Sequence, residues 1–395
     1  MGLLQQVFGN GAGHRQVKVF VVSEFKDRIL DAAAHGHKLR IQGGNTKQFY
    51  GDTHADTQVL DTRGWRGVVS YEPSELVVTV KAGTPLAELE SLLAEQGQSL
   101  AYEPPHFGAG ATVGGMVAAG LAGPARANVG GVRDHVLGVQ LLNGLGESLT
   151  FGGQVMENVA GYDVSRFMAG SLGTLGVITE LSLKVLPVAP AEATLMCALS
   201  QHDALELLHR WGGQALLLNA SAWVHDPTAT PAQDLLFVRL RGAVAAVESA
   251  RPRMIAEVQT LGGIASRMDQ HMAATDWQAG REQSLAFFKA PSPELCLWRL
   301  SLPQTAPVLN LPYAPYIEWH GALRWLWAPA EAHGELRSAA QAAGGHATLF
   351  RQAHTMNATP PVFQPLPLAQ QRIQQALQQQ FDPKGVFNTG RAGLQ

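Results

Sequence analysis

Cysteine is scarce in this chain, whose 395 residues include only Cys197 and Cys296. A disulfide framework needs more cysteines than this, and an iron–sulfur cluster is usually held by four thiolates. We therefore expect neither of them in this chain alone. A low cysteine content also favours a reducing compartment, and the expected location is the cytoplasm.

Charge is scarce as well, because charged residues make up 15% of the chain and the formal net charge is −3. Such a composition excludes the basic surface that nucleic acids require. The 14 histidines are dispersed, and none shows the HxxxH or HExxH spacing typical of zinc sites. We expect no bound metal and no nucleic-acid partner.

Long runs of large apolar residues are missing. The N-terminal MGLLQQVFGNGAGH has no positively charged start and no sustained apolar core, so it does not read as a secretory signal. The uncharged run Ala109 to Ala125 consists largely of Gly and Ala and is a poor membrane span. We expect no transmembrane segment. The GNGAGH stretch, Gly9 to His14, lacks the strand and the acidic residue of a dinucleotide fingerprint and is interpreted as a loop.

Glycine, in contrast, is abundant, with 42 residues. Three separate stretches concentrate it: Ile41 to Lys47 (IQGGNTK), Glu103 to Gly123 (EPPHFGAGATVGGMVAAGLAG) and Gly170 to Gly176 (GSLGTLG). A glycine without a Cβ lets backbone amides reach a phosphate or a ring system directly. Three such loops in one half of a chain favour a cofactor site over plain turns.

The first loop has the chemistry of a pyrophosphate site. Gly43 and Gly44 allow the backbone to fold around phosphate oxygens, and Asn45, Thr46 and Lys47 add hydrogen-bond donors.

The third loop opens directly into a strand. From Val177 the odd positions form a mostly apolar face, while Glu180, Ser182 and Lys184 form the other, which is the period of a half-buried strand.

These three loops, in this order, resemble the FAD-binding domain of the vanillyl-alcohol-oxidase and p-cresol-methylhydroxylase (PCMH) flavoprotein superfamily. GGNTK resembles its pyrophosphate loop, PPHFGAGATVGGMVA its flavin-cradling segment, and NVAGYDVSRFMAGSLGTLGVITELSLKVLP its most recognisable block. Within the superfamily, the chain is most similar to the small FAD-type subunits of bacterial glycolate oxidase. The similarity continues through LWRLSLP, WHGALRWLW, GGHATLF and FDPKGVFNTGR in the second half.

The loop chemistry and the resemblance together predict the cofactor-binding residues. They are Gly43, Gly44, Asn45, Thr46, Lys47, Pro105, Gly110, Ala111, Thr112, Gly114, Gly115, Gly173, Thr174, Gly176, Val177 and Ile178. The resemblance implies that FAD binds without a covalent link, because relatives that tether it through this loop have a histidine where this chain has Asn45. Leu172 is a departure from many relatives, which have a glutamate there.

Residue patterns predict an α+β fold rather than a Rossmann domain. One helix is predicted from Pro85 to Gln96 with Thr84 as N-cap, and Pro187 to Ala193 is interpreted as a linker. Predicted strands of the first half are Lys38 to Gln42, Val59 to Thr62, Gly67 to Tyr71, Leu76 to Lys81, Val136 to Leu142, Ser148 to Phe151 and Val177 to Val185. Later predicted elements are Thr194 to Ser200, Ala204 to Trp211, Leu216 to Val224, Leu235 to Arg241, Ala243 to Leu261 and Leu295 to Leu302.

The resemblance divides this pattern into a two-part PCMH-type FAD-binding domain at 1–188 and an antiparallel-sheet cap domain at 189–380, with helices on one face of its sheet. A tail at 381–395 is expected to return to the FAD domain.

Oxidation of a 2-hydroxy acid needs a cation for the carboxylate and a base for the hydroxyl proton, with the flavin as hydride acceptor. Arg299 is the candidate for the carboxylate, since a guanidinium pairs with a planar anion through two hydrogen bonds. His346 is the candidate base. The alternatives are an interface ion pair for Arg299 and a core histidine for His346. His320 and Arg324 are weaker candidates beside three tryptophans.

The resemblance implies that the chain is one FAD-binding subunit of a glycolate-oxidising complex, together with a larger FAD-type subunit and an iron–sulfur subunit. Electrons would pass toward the cluster and then quinone, and the complex would attach peripherally to the inner face of the cell membrane. Two alternatives stay open: a non-catalytic assembly subunit with a decayed flavin site, and an autonomous FAD-dependent oxidase of a small hydroxy acid such as D-lactate. Five aromatics between Tyr313 and Trp327 would mark a partner surface if two were exposed together.

Overall fold

The computed structural model of the chain describes residues 22–52, 57–154, 162–353 and 360–393. The GNGAGH loop and residues 158–161 of the NVAGYDV segment lie outside these ranges. Elements of the first half are α1 (Val22–His35), β1 (Leu39–Gln42), β2 (Gln58–Asp61), β3 (Val68–Glu72), β4 (Val77–Lys81), α2 (Leu86–Glu95), β5 (Gln98–Ser99), α3 (Val113–Ala119), α4 (Arg126–Val129), α5 (Val132–His135), β6 (Val136–Leu142), β7 (Ser148–Gly152), α6 (Tyr162–Phe167), β8 (Val177–Lys184) and β9 (Leu186–Pro187).

A five-stranded antiparallel sheet organises this half, in the order β3-β4-β8-β6-β7. Its central strand, β8, is more buried than the predicted half-buried strand, because it has a neighbour on each side. Ser182 on the polar face is buried and lies 2.9 Å from the Thr79 hydroxyl of β4. A separate parallel pair, β1 and β2, ends beside the first glycine loop.

The predicted helix is present as α2, but the predicted N-cap at Thr84 is wrong. Thr84 makes no cap hydrogen bond to this helix; its hydroxyl instead accepts a hydrogen bond from the backbone N–H of Gly67 at 2.9 Å. The side chain therefore ties the start of α2 to the loop before β3. Leu86, Leu89 and Leu93 are buried as their spacing predicts.

Elements of the second half are β10 (Ala191–Ala198), α7 (Gln201–Gly212), β11 (Leu218–Asp226), β12 (Gln233–Gly242), α8 (Val244–Thr260), β13 (Ile264–Arg267), α9 (Gln270–Arg281), β14 (Cys296–Ser301), β15 (Tyr316–Glu318), β16 (Leu323–Ala328), α10 (His333–Ala342), β17 (His346–Arg351) and α11 (Leu368–Phe381). The eight strands form one antiparallel sheet in the order β13-β10-β12-β11-β15-β16-β14-β17. The predicted linker is shorter than expected, since β10 begins at Ala191 within it.

The register of this sheet decides which side chains meet. Arg299 of β14 lies opposite Trp325 of β16, which in turn lies opposite Tyr316 of β15, and Glu318 lies opposite Leu323. Residues directly opposite each other share a face, as do residues two apart on one strand. All five side chains therefore lie on the same face of the sheet.

Helices cover both faces of the large sheet, which differs from the expectation of one face. Apolar residues of α7, α8 and α10 pack on the face opposite Arg299. Helix α9 lies on the Arg299 face, where the Trp277 indole N–H donates to the Thr194 hydroxyl at 2.9 Å. The sheet is thus covered by helices on one side and by α9 and the first half of the chain on the other.

The C-terminal segment returns to the first half of the chain. After α11, the backbone N–H of Leu39 donates to the carbonyl of Val386 at 2.8 Å, and the N–H of Asn388 donates to the carbonyl of Leu39 at 3.0 Å. Phe387 is fully buried against β1 and α1. These contacts bring residues 388–391 beside the first glycine loop.

Several general properties complete the description. Both cysteines are buried free thiols, and burial raises the pKa of Cys197 to about 12. Within the described ranges, no helix is both long and apolar enough to cross a bilayer, and no group of three metal-ligating side chains occurs. The mixed helices and antiparallel sheets confirm the predicted α+β class.

Candidate functional site

A cavity of about 810 Å³, here the first cavity, lies where the glycine loops converge at the ends of β1 and β8. The loops touch each other closely. A Cβ on Gly44 would lie 1.5 Å from the carbonyl oxygen of Gly110, and a Cβ on Gly43 would lie 2.2 Å from the Thr112 hydroxyl. Glycine is therefore required at these positions by the approach of a second loop, and the backbone of both loops is left bare toward the cavity.

Most of the predicted cofactor-binding residues line the first cavity. They are Gly43, Gly44, Asn45, Thr46, Lys47, Thr112, Gly114, Gly115, Gly173, Gly176 and Ile178. The other five do not line it. Ala111, Val177 and Thr174 are buried. The backbone of Gly110 contacts Gly44, and Pro105 lines a different cavity.

Four non-glycine residues of these loops have a positive φ, and two of them, Asn45 and Leu172, line the first cavity. Asn45 has a φ of 60° and Leu172 a φ of 53°. Asparagine tolerates this left-handed conformation better than most residues, whereas leucine does so at a cost of about 1–2 kcal/mol. Leu172 is held in place because its N–H donates to the Ala118 carbonyl and its own carbonyl accepts from Asn388. Its buried side chain forms part of the wall of the first cavity.

Sequence reasoning missed the arginines of the first cavity. Arg40 of β1 lines it, and its Nε is buried without a hydrogen-bond partner. Arg391, from the returning tail, donates to the backbone carbonyls of Lys47 and Tyr50 at 3.1 and 3.3 Å. The only sequence signal for Arg391 was the FDPKGVFNTGR resemblance, since nothing local indicates that a residue 344 positions away reaches the loop.

Lys47 supplies a third cation. Its Nζ donates to the carbonyl of His106 at 3.0 Å and lies 5.6 Å from the centre of the Phe107 ring. Burial lowers the pKa of Lys47 to about 8, although Glu282 partly opposes this shift. A buried cation whose partners are a neutral carbonyl and, at 3.4 Å, the Thr46 hydroxyl is poised to pair with an incoming anion.

A second cavity, of about 350 Å³, lies between the Arg299 face of the large sheet and residues 121–124. Arg299 lines it, and the centre of its guanidinium lies 5.4 Å from the Trp319 ring and 6.0 Å from the Trp325 ring. The Arg299 Nε is buried without a hydrogen-bond partner, and the residue takes part in none of the ion pairs of the described chain. The predicted cation is therefore present in a cavity.

Glu318 is the carboxyl group that lines this cavity beside Arg299 and Arg281, and the sequence did not point to it. Its carboxylate accepts a hydrogen bond from the Trp325 indole at 2.7 Å. Burial raises the pKa of Glu318 to about 7, outweighing that hydrogen bond and the charge of Arg299, which both lower it. A carboxyl that titrates near neutral pH can hold or release a proton at working pH.

His346 is not brought to Arg299 in the second cavity. It is the exposed first residue of β17, opposite Ser301, and it is absent from the lining of that cavity. Desolvation, followed by the charge of Arg299, lowers the pKa of His346.

The two weaker candidates have structural partners. His320 is buried between the Ser221 hydroxyl and the Asn128 amide, and burial lowers its pKa to about 4. Arg324 lies on the face of the large sheet opposite Arg299. It donates to the carbonyls of Ala306 and Pro307 at 2.7 and 2.6 Å. Neither side chain lines the first or the second cavity.

The tryptophans form cavity walls rather than an exposed surface. Trp319 and Trp325 are each 4% exposed, Tyr316 is 5% exposed, and Trp327 and Tyr313 are half-buried. An apolar patch of two exposed aromatics in this stretch is therefore absent. The same hydrophobic cluster contains Leu172 and Ala119 from the first cavity and Trp325 and Phe350 from the second, so both cavities border one cluster of packed side chains.

Comparison with known proteins is consistent with this arrangement. Residues 19–167 match the FAD binding domain family. The chain is 43% identical over 365 residues to glycolate oxidase subunit GlcE of Escherichia coli strain K12, covering 92% of this chain and 95% of that protein. It is 30% identical over 138 residues to glycolate oxidase subunit GlcD of Bacillus subtilis strain 168, covering 35% of this chain and 29% of that protein.

Among solved structures, alkyldihydroxyacetonephosphate synthase superposes with a TM-score of 0.65 at 15% identity, covering 93% of this chain and 75% of that one. At this identity the similarity shows the fold alone. It confirms a PCMH-type FAD-binding fold followed by an antiparallel-sheet domain, and the family match confirms FAD as the cofactor.

Proposed function

The chain belongs to the family of glycolate oxidase subunit GlcE, and from this membership we propose that it is an FAD-binding subunit of a complex that oxidises glycolate to glyoxylate. Bound in this chain, FAD would supply the hydride-accepting chemistry that oxidation of a hydroxy acid requires. The chain itself provides the cofactor site, the orientation of the cofactor and exclusion of water around it.

The first cavity is the proposed FAD site, and the observation that carries this is its unpaired positive charge. Arg40, Lys47 and Arg391 surround bare glycine backbone, and the buried Nε of Arg40 has no protein partner. A buried donor without a partner is costly unless a ligand satisfies it. The diphosphate of FAD has the charge and the acceptor oxygens to do so.

Noncovalent binding is part of the proposal, because Asn45 has no nucleophilic ring nitrogen with which to hold a flavin. The test is acid precipitation of the purified chain followed by chromatography of the supernatant. We expect the pellet to be colourless and the supernatant to contain FAD. Yellow colour that stays in the pellet, or release of FMN, would contradict the proposal.

The division into a FAD-binding domain at 1–188, a cap domain at 189–380 and a tail at 381–395 is likewise proposed. It is supported by the two separate sheets and by the return of residues 386–391 to β1.

The subunit names of the two relatives support membership in a multi-subunit complex. We propose a larger FAD-type subunit and an iron–sulfur subunit as partners, with electrons passing to the cluster and then quinone. The proposed location is the cytoplasm, at the inner face of the membrane through that complex.

A second candidate function is an autonomous oxidase of a small hydroxy acid, and the second cavity favours it. Arg299 and Glu318 supply a cation and a titratable carboxyl in a cavity that closes against the first half of the chain. Turnover of glycolate or D-lactate by the isolated chain with an artificial electron acceptor separates the two functions. A third possibility is an assembly subunit with a decayed flavin site. It requires that the purified chain contain no flavin, and an absorbance spectrum of the purified chain tests this.

A further inference from the structure

We propose that the second cavity is a binding site for a small 2-hydroxy or 2-oxo carboxylate, in which Arg299 pairs with the carboxylate and protonated Glu318 donates a hydrogen bond to the 2-oxygen. The subunit would then recognise the substrate or product class itself, whatever a partner subunit does. The proposal rests on the proposed function only for the choice of glycolate as the probe.

Arg299 has the position and the unmet hydrogen-bonding capacity of an anion-binding residue. Its strand, β14, lies between β16 and the edge strand β17, and Arg299 lines the second cavity together with residues 121–124. The Trp319 and Trp325 rings fix the guanidinium by cation–π contacts at 5.4 and 6.0 Å. The Nε remains buried and unpartnered, and a carboxylate is the planar acceptor that a guanidinium fits best.

The other cations near the second cavity have their own partners. Arg281 donates to the Glu90 carboxylate at 2.8 Å and to the Pro104 carbonyl at 3.0 Å, and it also pairs with Glu282. Arg126 belongs to the first half of the chain. The centre of its guanidinium lies 4.5 Å from the centre of the Trp319 ring, which Arg299 also contacts. The positive charge available to a ligand is therefore that of Arg299, with Arg126 adding to the local field.

Glu318 faces these groups from β15. The charged or titratable side chains around it are Arg299 on β14, Tyr316 on its own strand, and Arg281, which also lines the cavity. Arg126 lies beyond the Trp319 ring, where its charge acts on Arg299. One carboxylate oxygen is occupied by the Trp325 indole. An incoming carboxylate would repel an ionised Glu318 across a small cavity, so binding favours the protonated form. That form can donate to a 2-oxygen.

The size and the lining restrict the ligand. The cavity is small, and it is walled by Leu121, Leu323 and Phe350 beside Arg299 and Glu318. One cation and one titratable carboxyl match one carboxylate and one neighbouring hydroxyl or carbonyl. Larger acids would meet the wall formed by Trp319, Trp325 and Phe350.

The experiment is isothermal titration of the flavin-retaining full chain with glycolate, acetate and glycolamide. We expect glycolate to bind, acetate to bind more weakly because it lacks the 2-oxygen, and glycolamide to show no binding because it lacks the charge. Glycolate affinity should weaken by about 30-fold from pH 6 to pH 8.5, the loss expected when a group of pKa about 7 must be protonated. Repeating the titration in two buffers of different ionisation enthalpy should show uptake of a proton by the wild-type chain above pH 7.

Matched variants assign the effects to residues. Arg299→Met should abolish glycolate binding, whereas Arg267→Met, an exposed arginine on β13, should leave it unchanged. Glu318→Gln keeps an acceptor for the Trp325 indole but cannot ionise, so its glycolate affinity should not depend on pH. Asp276→Asn is the matched control. Burial also raises the pKa of the Asp276 carboxyl, but this residue does not line the cavity, so the variant should retain the wild-type pH dependence of glycolate binding.

Three results would overturn the proposal: equal binding of glycolate and glycolamide, wild-type affinity in a folded Arg299→Met chain, or no proton uptake by the wild type. The flavin spectrum of the same sample reports the proposed function separately. A flavin-bearing chain that binds no carboxylate refutes the cavity assignment alone, and a colourless chain that binds glycolate refutes the flavin function alone.

Discussion

At the scale of single residues, Gly44 shows how closely two loops approach at the proposed FAD site. A Cβ there would lie 1.5 Å from the Gly110 carbonyl oxygen, which is backbone and cannot rotate away. Overpacking typically costs about 1–3 kcal/mol even where side chains can adjust. We expect Gly44→Ala to lose most of its flavin, measured as absorbance at the flavin band per folded chain.

Matched glycines provide the controls for this prediction. A Cβ on Gly212 meets nothing within 4 Å, so Gly212→Ala should retain flavin. In the third loop Gly173 has a φ of 73° and would press a Cβ to 2.6 Å from the Asn388 amide, whereas Gly170, with a φ of 84°, faces open space. Gly173→Ala should therefore reduce flavin content more than Gly170→Ala does. Normal flavin content in a folded Gly44→Ala chain would show that the site is misplaced.

Lys47 predicts a pH dependence of FAD binding. In the empty site its pKa is lowered to about 8 by burial, and the diphosphate favours the charged form, so the bound pKa is higher. The contribution of the Lys47 charge to FAD affinity is therefore fully present well below pH 8 and decreases as the pH rises above 8. We expect the FAD affinity of the apoprotein to weaken by about tenfold between pH 7 and pH 9, measured by fluorescence titration.

The control for Lys47 is the conservative variant Lys47→Arg. A guanidinium stays charged throughout this pH range, so the variant should bind FAD with little change between pH 7 and pH 9. The same decline in Lys47→Arg and in the wild type would assign the titration to another group.

At the scale of elements, a buried ion network joins the second glycine loop to the large sheet. The Glu103 carboxylate, 16% exposed, accepts from Arg239 and Arg241 of β12 at 2.7 Å each. Burial alone raises the pKa of Glu103, but the two arginine charges outweigh it and hold the pKa below its usual value. The network fixes the distance between the proposed FAD loops and the sheet that carries Arg299.

Removal of the shared partner in this network should be costly. Glu103→Ala leaves Arg239, which is 2% exposed, without its counter-ion, and such changes destabilise proteins by about 3–5 kcal/mol. We expect a large decrease in the free energy of unfolding in urea. Asp61→Ala is the control, because the Arg63 side chain that it pairs with is 60% exposed and such surface pairs are worth at most about 1 kcal/mol. Equal effects of the two variants would contradict a structural role for the network.

At the scale of the whole molecule, the two buried cysteines cannot hold the cluster that would carry single electrons onward. We therefore expect the chain, expressed with its genomic neighbours, to co-purify with a cysteine-rich iron–sulfur subunit and a larger FAD-type subunit. Alone, it should show little glycolate oxidation. The measurement is affinity purification followed by mass spectrometry and an acceptor-reduction assay.

The control for this prediction is the isolated, monodisperse chain in the same assay. Saturable glycolate oxidation by that chain would favour the autonomous oxidase. The second cavity makes this a real alternative, because carboxylate recognition by Arg299 and Glu318 does not require a partner.

The sequence by itself determined the local chemistry of the first cavity and the class of the fold. Glycine at 43 and 44, the donors from Asn45 to Lys47 and the period-two strand after Gly176 are local signals, since turn geometry and strand periodicity act over a few residues. They predicted the strands of the five-stranded sheet and 11 of the 22 residues that line the first cavity. They erred at Thr84, whose partner Gly67 lies in the loop before β3, and at the polar face of β8, where Thr79 of β4 is the partner of Ser182.

Only the tertiary structure decided which distant residues meet. Arg391 reaches the carbonyl of Lys47 across 344 positions, and Glu318 and Arg299 share a cavity because the order β15-β16-β14 and its register put them on one face. Strand order and register arise from the packing of the entire sheet. Burial then sets the pKa of Glu318, so its chemical role is a property of the folded molecule and not of the sequence around it.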